Sequence, residues 1–546
     1  MNVMGGQRVL ASTSGTTAPI STCGPNGSDL WASRQLESCL RSYGLFESAA
    51  ETERRKNVLS RLNQIVQKWV REVSAKKMPK QSAQLMAGKI FTFGSYRLGV
   101  HTKGADIDTL VVAPRHVQRS DFFDTFPKML SQIPNCEYVR AVRQAFVPVI
   151  KTKIEGIEVD VVFAKLALNN IPQDLDLSDG SLLKNIDEKT VLSLNGSRVA
   201  DDILRLVPNR ESFCLALRAV KLWAKRRGIY SNVLGFFGGA SWTLLVAHTC
   251  QLYPRASAAT LLQKFFELFR QWEWSKPVLL RRNSDDDPSL GFTVWDPQKN
   301  GRDRHHLMPI ITPSYPQRNS TYNVSKSTKT IIINELIRGS QIINNIISGD
   351  VPWDSLFESD ENFFIKYEHF IVLLVSPDAQ WMGLVESKIR ILVQKLERHT
   401  CIRLAHVNPK CFTGSRTHTS LVLRSRTVCA PKDNAKTQTI MWFIGIEFNK
   451  GQGINVDLTR DFQSFVQMVT NVGKSGNFFK PEMTCDTKRV NWKELENYLP
   501  TEVFKTMETA KSAKICGKRG LEYTNSSPKK GKTALKTQLI QVYKVN

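Results

Sequence analysis

From Thr52 onward apolar residues recur at steps of three and four: Val58, Leu62, Ile65, Trp69 and Val73. Val66 and Val70 widen the stripe and charges fill the opposite side, which predicts an amphipathic helix. Pro79 and Gly88 break it. Lys89–Phe93 and Ile107–Val112 then read as strands, with a Gly94-Ser95 turn after the first. In the candidate strand Ile157–Phe163, Ile157, Val159, Val161 and Phe163 point one way and Glu158, Asp160 and Val162 the other. A helix followed by mixed strands makes residues 50–170 an α+β unit. Residues 171–355 read as mainly helical. Within them Phe213–Lys225 is basic and amphipathic, and Ala240–Leu252 is nearly all apolar, as a buried helix would be. Asn283–Pro288 and Asn300–His306 are polar loops. From about Asn362 a β pattern returns at Phe370–Val375, Trp442–Phe448 and Ile454–Leu458, with helical Leu384–Glu397 between. The first 28 residues are small and polar and are expected to be disordered.

A length of 546 residues suggests about three or four domains at roughly 100–200 residues each. With 41% hydrophobic and 23% charged residues, wholesale disorder and fibrous repeats are excluded. Charge changes the picture more. Against 50 Asp and Glu stand 75 Lys and Arg, a net charge of +25. A surplus of that size points to a polyanionic partner, nucleic acid being the commonest, with a solubilising surface as the plainer alternative. After about Thr509 the apolar pattern ends, and residues 511–546 carry nine Lys or Arg against one acid, Glu522.

Ten scattered cysteines form no CxxC pair, and the adjacent His305–His306 has no cysteine near it. This argues against a zinc site or a disulfide framework and for a reducing compartment. No stretch approaches the roughly 18 apolar residues of a membrane helix, and the N-terminus lacks a signal peptide's apolar core. An intracellular protein is expected.

The sharpest chemistry is Phe93-Gly94-Ser95 followed, eleven residues after Ser95, by Asp106-Ile107-Asp108. Two aspartates two apart on a strand share a face, with Cα atoms roughly 6.5–7 Å apart. Their carboxylates can converge on a divalent cation, and hard oxygen ligands suit Mg²⁺. Asp160, on a strand whose other face is apolar, is the third acid. Three carboxylates facing one point repel unless a metal neutralises them, the arrangement a two-metal phosphoryl-transfer site requires. Gly94 lets the backbone approach a phosphate, the Ser95 hydroxyl can donate to it, and Arg97 and Lys103 are nearby cations. Asp-x-Asp alone is common on exposed strands, and a Gly-Ser turn alone is weak. Their order and strand context together carry the signal.

The run Phe91-Thr92-Phe93-Gly94-Ser95-Tyr96-Arg97-Leu98-Gly99-Val100-His101-Thr102-Lys103-Gly104-Ala105-Asp106-Ile107-Asp108 closely resembles the catalytic block of eukaryotic nuclear poly(A) polymerases, in the DNA polymerase β-like nucleotidyltransferase superfamily. Ala145–Lys151, Ser193–Val199, Lys221–Arg226, Ile229–Asn232, Met308–Pro313 and Gly383–Lys388 also look like blocks of that family, from about Ala18 to about Leu499. The resemblance implies an α+β multidomain chain: a nucleotidyltransferase palm of mixed β-sheet with helices, a helical middle domain and an RRM-like C-terminal domain. The expected division is a disordered 1–17, a segment 18–50 packing with the middle domain, the catalytic domain 51–170, the middle domain 171–355, the RNA-binding domain 356–508 and a basic disordered tail 509–546.

The resemblance further implies Asp106, Asp108 and Asp160 as catalytic metal ligands, for Mg²⁺ or Mn²⁺ in a two-metal site. Around the ATP substrate it implies Phe93, Gly94, Ser95, Thr102, Ile107, Lys221, Tyr230, Asn232, Gly239 and Ala240, together with the three aspartates. Phe146, Lys151 and Asn195 would meet RNA, Lys151 and Asn195 at the primer end or the incoming ATP. The expected reaction is template-independent transfer of AMP from ATP to an RNA 3′-OH, in a nuclear monomer recruited by a cleavage and polyadenylation specificity factor. The alternatives are a catalytically silent RNA-binding paralogue and a terminal uridylyltransferase-like or oligoadenylate-synthesising enzyme. No RNP1-like run occurs in the third domain, so base stacking on its sheet is not indicated; Lys388, Arg390, Lys395, Arg398 and Arg403 can track phosphates instead. Gly414–Lys436 does not match the family, and Ser527–Lys532 is a candidate nuclear localisation signal.

Overall fold

The structure is a computed structural model, described over residues 17–143, 145–282, 290–359, 363–415, 438–449, 456–499, 504–505, 507–509 and 511. The first 16 residues, the 283–288 loop, most of the 414–436 stretch and the tail beyond Lys511 with its lysine cluster lie outside these. The chain forms two compact units. One comprises Met1–Trp223, Gly238–Tyr322 and Leu336–Leu356; the other comprises Ala224–Phe237, Asn323–Glu335 and Phe357–Asn546.

The first unit is built on a five-stranded sheet of β1 (Lys89–Phe93), β2 (Ile107–Ala113), β3 (Cys136–Val142), β4 (Val149–Ile154) and β5 (Ile157–Lys165). The strand order is β1-β2-β5-β4-β3, with β2 and β5 parallel and the other pairs antiparallel. Alternation along β2 and β5 explains why the sheet is covered on both faces. Ile107, Val111, Val159, Val161 and Phe163 meet Val58, Leu62, Val66, Trp69 and Val70 of the Ala49–Ala75 helix, together with Phe122 and Phe126. The Trp69 ring packs on all three of these phenylalanines, and its Nε1 donates to Thr125 Oγ1 at 2.8 Å. On the other face Leu110, Val112 and Val162 pack against Val191 and Leu194 of the Glu188–Leu206 helix. The polar residues of that second face, Asp108 and Asp160 among them, gather at the end of the sheet beyond Leu110 and Val162.

The expectation of disorder up to residue 28 is corrected for its described part, residues 17–28. Ile20 N–H donates to the Leu252 carbonyl at 2.8 Å, and Asn26 and Asp29 form a reciprocal cap on the Gly27–Ser42 helix. The Ser, Asn and Gly content that reads as disorder is here cap chemistry. The helix is tied to a helix distant in sequence, Ala258–Arg270, by Ala259 N–H donating to Ser33 Oγ at 3.0 Å.

The second unit holds β6 (His369–Val375), β7 (Ile402–Val407), β8 (Phe412–Ser415), β9 (Gln438–Phe448) and β10 (Cys485–Asn491) in the order β10-β6-β9-β7, with β8 also on β9. All pairs are antiparallel. Helices Ala379–Leu396 and Thr459–Ser475 accompany the sheet. Aromatic residues Phe363, Phe364, Tyr367, Phe412 and Phe443 pack together around buried His406, whose Nδ1 lies 2.7 Å from the Tyr367 hydroxyl. Burial holds that imidazole down to about 3 and hence neutral. These sheet aromatics are spent on the core, in keeping with the missing RNP1 run. The expected strand Ile454–Leu458 is corrected for its described part: residues 456–458 are irregular and lead into the Thr459–Ser475 helix, with Leu458 buried. The edge beside β6 is taken by β10 instead. Among the described residues no helix is long and apolar enough to cross a membrane, and the eight described cysteines are free thiols.

Candidate active site

The pairing registers line up one row of side chains across the first unit's sheet. Phe93 opposes Asp108, Asp108 opposes Asp160, Asp160 opposes Lys151, and Lys151 opposes Arg140. Residues directly opposite share a face, so these project together on the side away from the Ala49–Ala75 helix. Asp106, two residues before Asp108, joins them. One carboxylate oxygen from each of Asp106, Asp108 and Asp160 can be chosen so that all lie within 4.8 Å of one another.

Three acids at this spacing strain each other. Burial, then Asp106 and Asp160, push the Asp108 carboxyl up to about 7, against the opposing pull of Lys151 and Lys221. Burial and Asp106 also hold Asp160 above its ordinary range, although Lys151 Nζ donates to its carboxylate. Burial weighs most against the Lys151 ammonium, but that hydrogen bond and the charges of Asp160 and Asp106 together outweigh it, and its pKa rises. Against three carboxylates stand two cations, so the cluster is short of positive charge and all-oxygen in its donors. That donor set fits a hard divalent cation.

Gly94 makes the arrangement possible. It sits at φ +62°, and a Cβ there would lie 2.1 Å from Asp108 Oδ2. Only glycine lets the turn Gly94–Arg97 close this tightly on the carboxylate. Gly196 serves the same end from the Glu188–Leu206 helix, since a Cβ there would meet the Phe93 ring at 2.8 Å. Its neighbour Asn195 has a buried side-chain carbonyl with no hydrogen-bond partner among the described residues.

The 98–102 loop that carries Thr102 is pinned by a buried network no pattern in the sequence announced. Glu47 Oε1 pairs with Arg55 at 2.7 Å and its Oε2 lies 3.1 Å from His101 Nε2. Arg218 donates to the Gly99 and His101 carbonyls at 2.9 and 2.6 Å, and Lys221 Nζ reaches the Val100 carbonyl at 3.4 Å. Glu47 and Arg55 lie eight residues apart, but His101 and Arg218 are far along the chain from them, and none stood out in the sequence.

Of the expected residues, the first unit contains Phe93, Gly94, Ser95, Thr102, Asp106, Ile107, Asp108, Phe146, Lys151, Asp160, Asn195, Lys221, Gly239 and Ala240, while Tyr230 and Asn232 belong to the second. Ile107 is fully buried in the opposite core, leaving only its main chain to the site. Arg97 and Lys103, considered as phosphate cations, are engaged elsewhere: Arg97 with Asp201 at 2.6 Å and Lys103 with Glu51 at 3.3 Å. Gly239 and Ala240 open the Gly239–Leu252 helix, whose cap residue Gly238 has no side chain to offer its first-turn amides. In the second unit the Lys225 ammonium lies 5.4 Å from the Tyr230 ring centroid. Asn323 Nδ2 donates to Asn232 Oδ1 at 3.0 Å and so orients that amide; Asn323 was not foreseen. Of the basic residues considered for phosphate tracking there, Arg403 is paired with Glu447 and Lys395 donates to Ser464.

A mixed sheet with two aspartates at the start of one strand, one just before it and one on it, and a third on its parallel neighbour, after a Gly-Ser turn, defines a nucleotidyltransferase. The comparisons narrow the class. Residues 15–207 match the poly(A) polymerase nucleotidyltransferase domain, 212–359 the poly(A) polymerase central domain, and 362–420 with 422–513 the poly(A) polymerase predicted RNA-binding domain. The chain belongs to the poly(A) polymerase family. It is 45% identical over 83% of its length to a poly(A) polymerase of Dictyostelium discoideum, and 42% identical over 89% to nuclear poly(A) polymerase 1 of Arabidopsis thaliana. It spans 55% and 66% of those two proteins. Among solved structures, that of the Cid1 poly(U) polymerase aligns at a TM-score of 0.43 with 18% identity, over 61% of this chain and 100% of that one.

Proposed function

We propose that this chain is a template-independent polynucleotide adenylyltransferase, joining AMP from ATP to an RNA 3′-OH and releasing pyrophosphate. The observation that carries the reading is the convergence of Asp106, Asp108 and Asp160 beside a glycine that their approach demands. Its setting in a chain matched by three poly(A) polymerase domains supports ATP and RNA as substrates.

Asp106, Asp108 and Asp160 would hold two Mg²⁺ or Mn²⁺ ions. When bound, such ions lower the pKa of the attacking hydroxyl and neutralise the triphosphate. The chain's own groups divide the remaining work. The O3′–Pα bond forms as the bond from Pα to the β-phosphate oxygen breaks, so negative charge passes to the pyrophosphate. Lys221, near enough to Asp108 for its charge to be felt there, is suited to take that charge. Gly94, Ser95 and Thr102 line the triphosphate side, and Phe93 supports it. Lys151, hydrogen-bonded to Asp160 on the other side of the acids, orients the attacking end of the RNA, with Phe146 exposed in the turn before β4. The orphaned Asn195 carbonyl is suited to accept from a ribose hydroxyl. By the family resemblance Tyr230 would offer a ring for the base and Asn232 an amide for the adenine edge, and Gly239 and Ala240 would contact the nucleotide.

A nuclear monomer that works with a cleavage and polyadenylation specificity factor belongs to the same reading, and the similarity to a protein named nuclear poly(A) polymerase 1 favours the nucleus. The domain division given above from the sequence is retained in it. The test is extension of a short oligoadenylate primer by the purified protein. ATP should give ladders with Mg²⁺ or Mn²⁺; extension by UTP in preference would mark the uridylyltransferase alternative. No extension from folded, RNA-binding protein would mark the silent paralogue.

A further inference from the structure

The row of side chains that contains the acids does not stop at Lys151. Its last member is Arg140 on the edge strand β3, opposite Lys151 and two strand spacings, roughly 10 Å, from Asp160. Arg140 is exposed, and among the described residues its guanidinium makes no ion pair or hydrogen bond. That is unusual here, since neighbouring Arg143 is paired with Asp124 and Lys153 with Glu137. Tyr138, opposite Lys153 and two residues before Arg140, projects to the same face of the sheet. Its ring is 41% exposed, although it lies close enough to Glu158, Lys151 and Asp160 to feel their charges.

An exposed aromatic and an unpaired guanidinium at this end of the sheet need a reason. The Gly94-Ser95 turn lies on the β1 side of the acids, which leaves the β4–β3 side for the strand that brings the attacking hydroxyl. We propose that Tyr138 and Arg140 form a landing strip for the primer on β3, the ring stacking on a base near the 3′ end and the guanidinium holding a phosphate one or two nucleotides back. The inference rests on the adenylyltransferase reading and extends it to residues of the edge strand. Stacking on a ring is tolerant of base identity, and one cation per phosphate adds a defined salt dependence. Both are positioning residues, remote from the reacting atoms.

The experiment measures oligoadenylate affinity by fluorescence anisotropy across a salt series, and separately the KM for primer and for ATP. Tyr138→Ala should weaken primer binding about tenfold, and Tyr138→Phe should retain it, because the ring and not the hydroxyl does the work. Arg140→Gln should reduce the slope of log affinity against log salt by about 0.7, and Arg140→Lys should restore it. In both Tyr138→Ala and Arg140→Gln the KM for primer rises while the KM for ATP stays. Unchanged affinity in Tyr138→Ala together with an unchanged slope in Arg140→Gln overturns the proposal, whether or not the wild type extends primers. A wild type that binds oligoadenylate and shows these effects but adds no nucleotide overturns the adenylyltransferase reading and leaves the landing strip standing.

Discussion

Replacing Asp108 by Asn should stabilise the metal-free protein, and the gain should grow with pH. In the fold the Asp108 carboxyl keeps its proton up to about pH 7, because burial and the neighbouring Asp106 and Asp160 oppose its ionisation. Unfolded, it releases that proton near 3.8, as an ordinary aspartate does. Between those values the folded state holds the extra proton, so stability falls as pH rises through the window and levels off above about 7. At about 1.4 kcal/mol per pKa unit, a rise of about three units sets an upper bound near 4 kcal/mol. Residual solvent and relaxation of the site around the ionised group should reduce this to about 2 kcal/mol, or roughly 4 °C in Tm for a unit of this size. The assay is differential scanning calorimetry in chelator at a series of pH values. Wild type and Asp108→Asn should melt together near pH 4 and separate toward pH 8, with the variant higher. Added Mg²⁺ should raise the wild-type Tm and not the variant's, reversing the order. Parallel pH profiles in chelator, or equal Mg²⁺ stabilisation of both proteins, would refute the reasoning.

Gly94→Ala should cost at least about 10²-fold in kcat, because a Cβ 2.1 Å from Asp108 Oδ2 forces the carboxylate out of place; steady-state kinetics beside a melting curve checks it. Lys221→Gln should raise the KM for ATP by about tenfold or more and leave the primer KM unchanged, the loss of one charge-assisted contact to phosphate. RNA affinity should fall by more than about tenfold between 50 and 200 mM salt if three or more phosphates are neutralised; a flat response would mean that the +25 charge faces something other than RNA.

What the sequence made legible follows from periodicity. The Ala49–Ala75 helix buries one clean face, and β2 and β5 are apolar runs buried against two cores, so their patterns are strong; with half-buried β1, their bounds fell within a few residues of those expected. The site sits on those same strands, which is why its acids were visible. Strand β3 is an exposed edge whose apolar residues fall on both faces, and β10 reads Cys-Asp-Thr-Lys-Arg-Val-Asn with few apolar residues; neither announces itself by alternation, yet each is held by an antiparallel ladder. Backbone hydrogen bonding to a neighbour is a tertiary fact that side-chain pattern does not encode. The same limit hid Arg140, whose place beside Lys151 depends on register, and the Glu47, Arg55, His101 and Arg218 network, whose members meet only after folding.

The central claim is that Asp106, Asp108 and Asp160 form a site for adenylyl transfer. Its most direct test gives the purified protein an oligoadenylate primer and each of the four nucleoside triphosphates in turn, with Asp106→Ala as the control. The account predicts a ladder with ATP and a loss of at least about 10²-fold in Asp106→Ala, which should remain folded. A variant that keeps more than about a tenth of the wild-type rate would contradict the carboxylate assignment, since a lost metal ligand should cost far more.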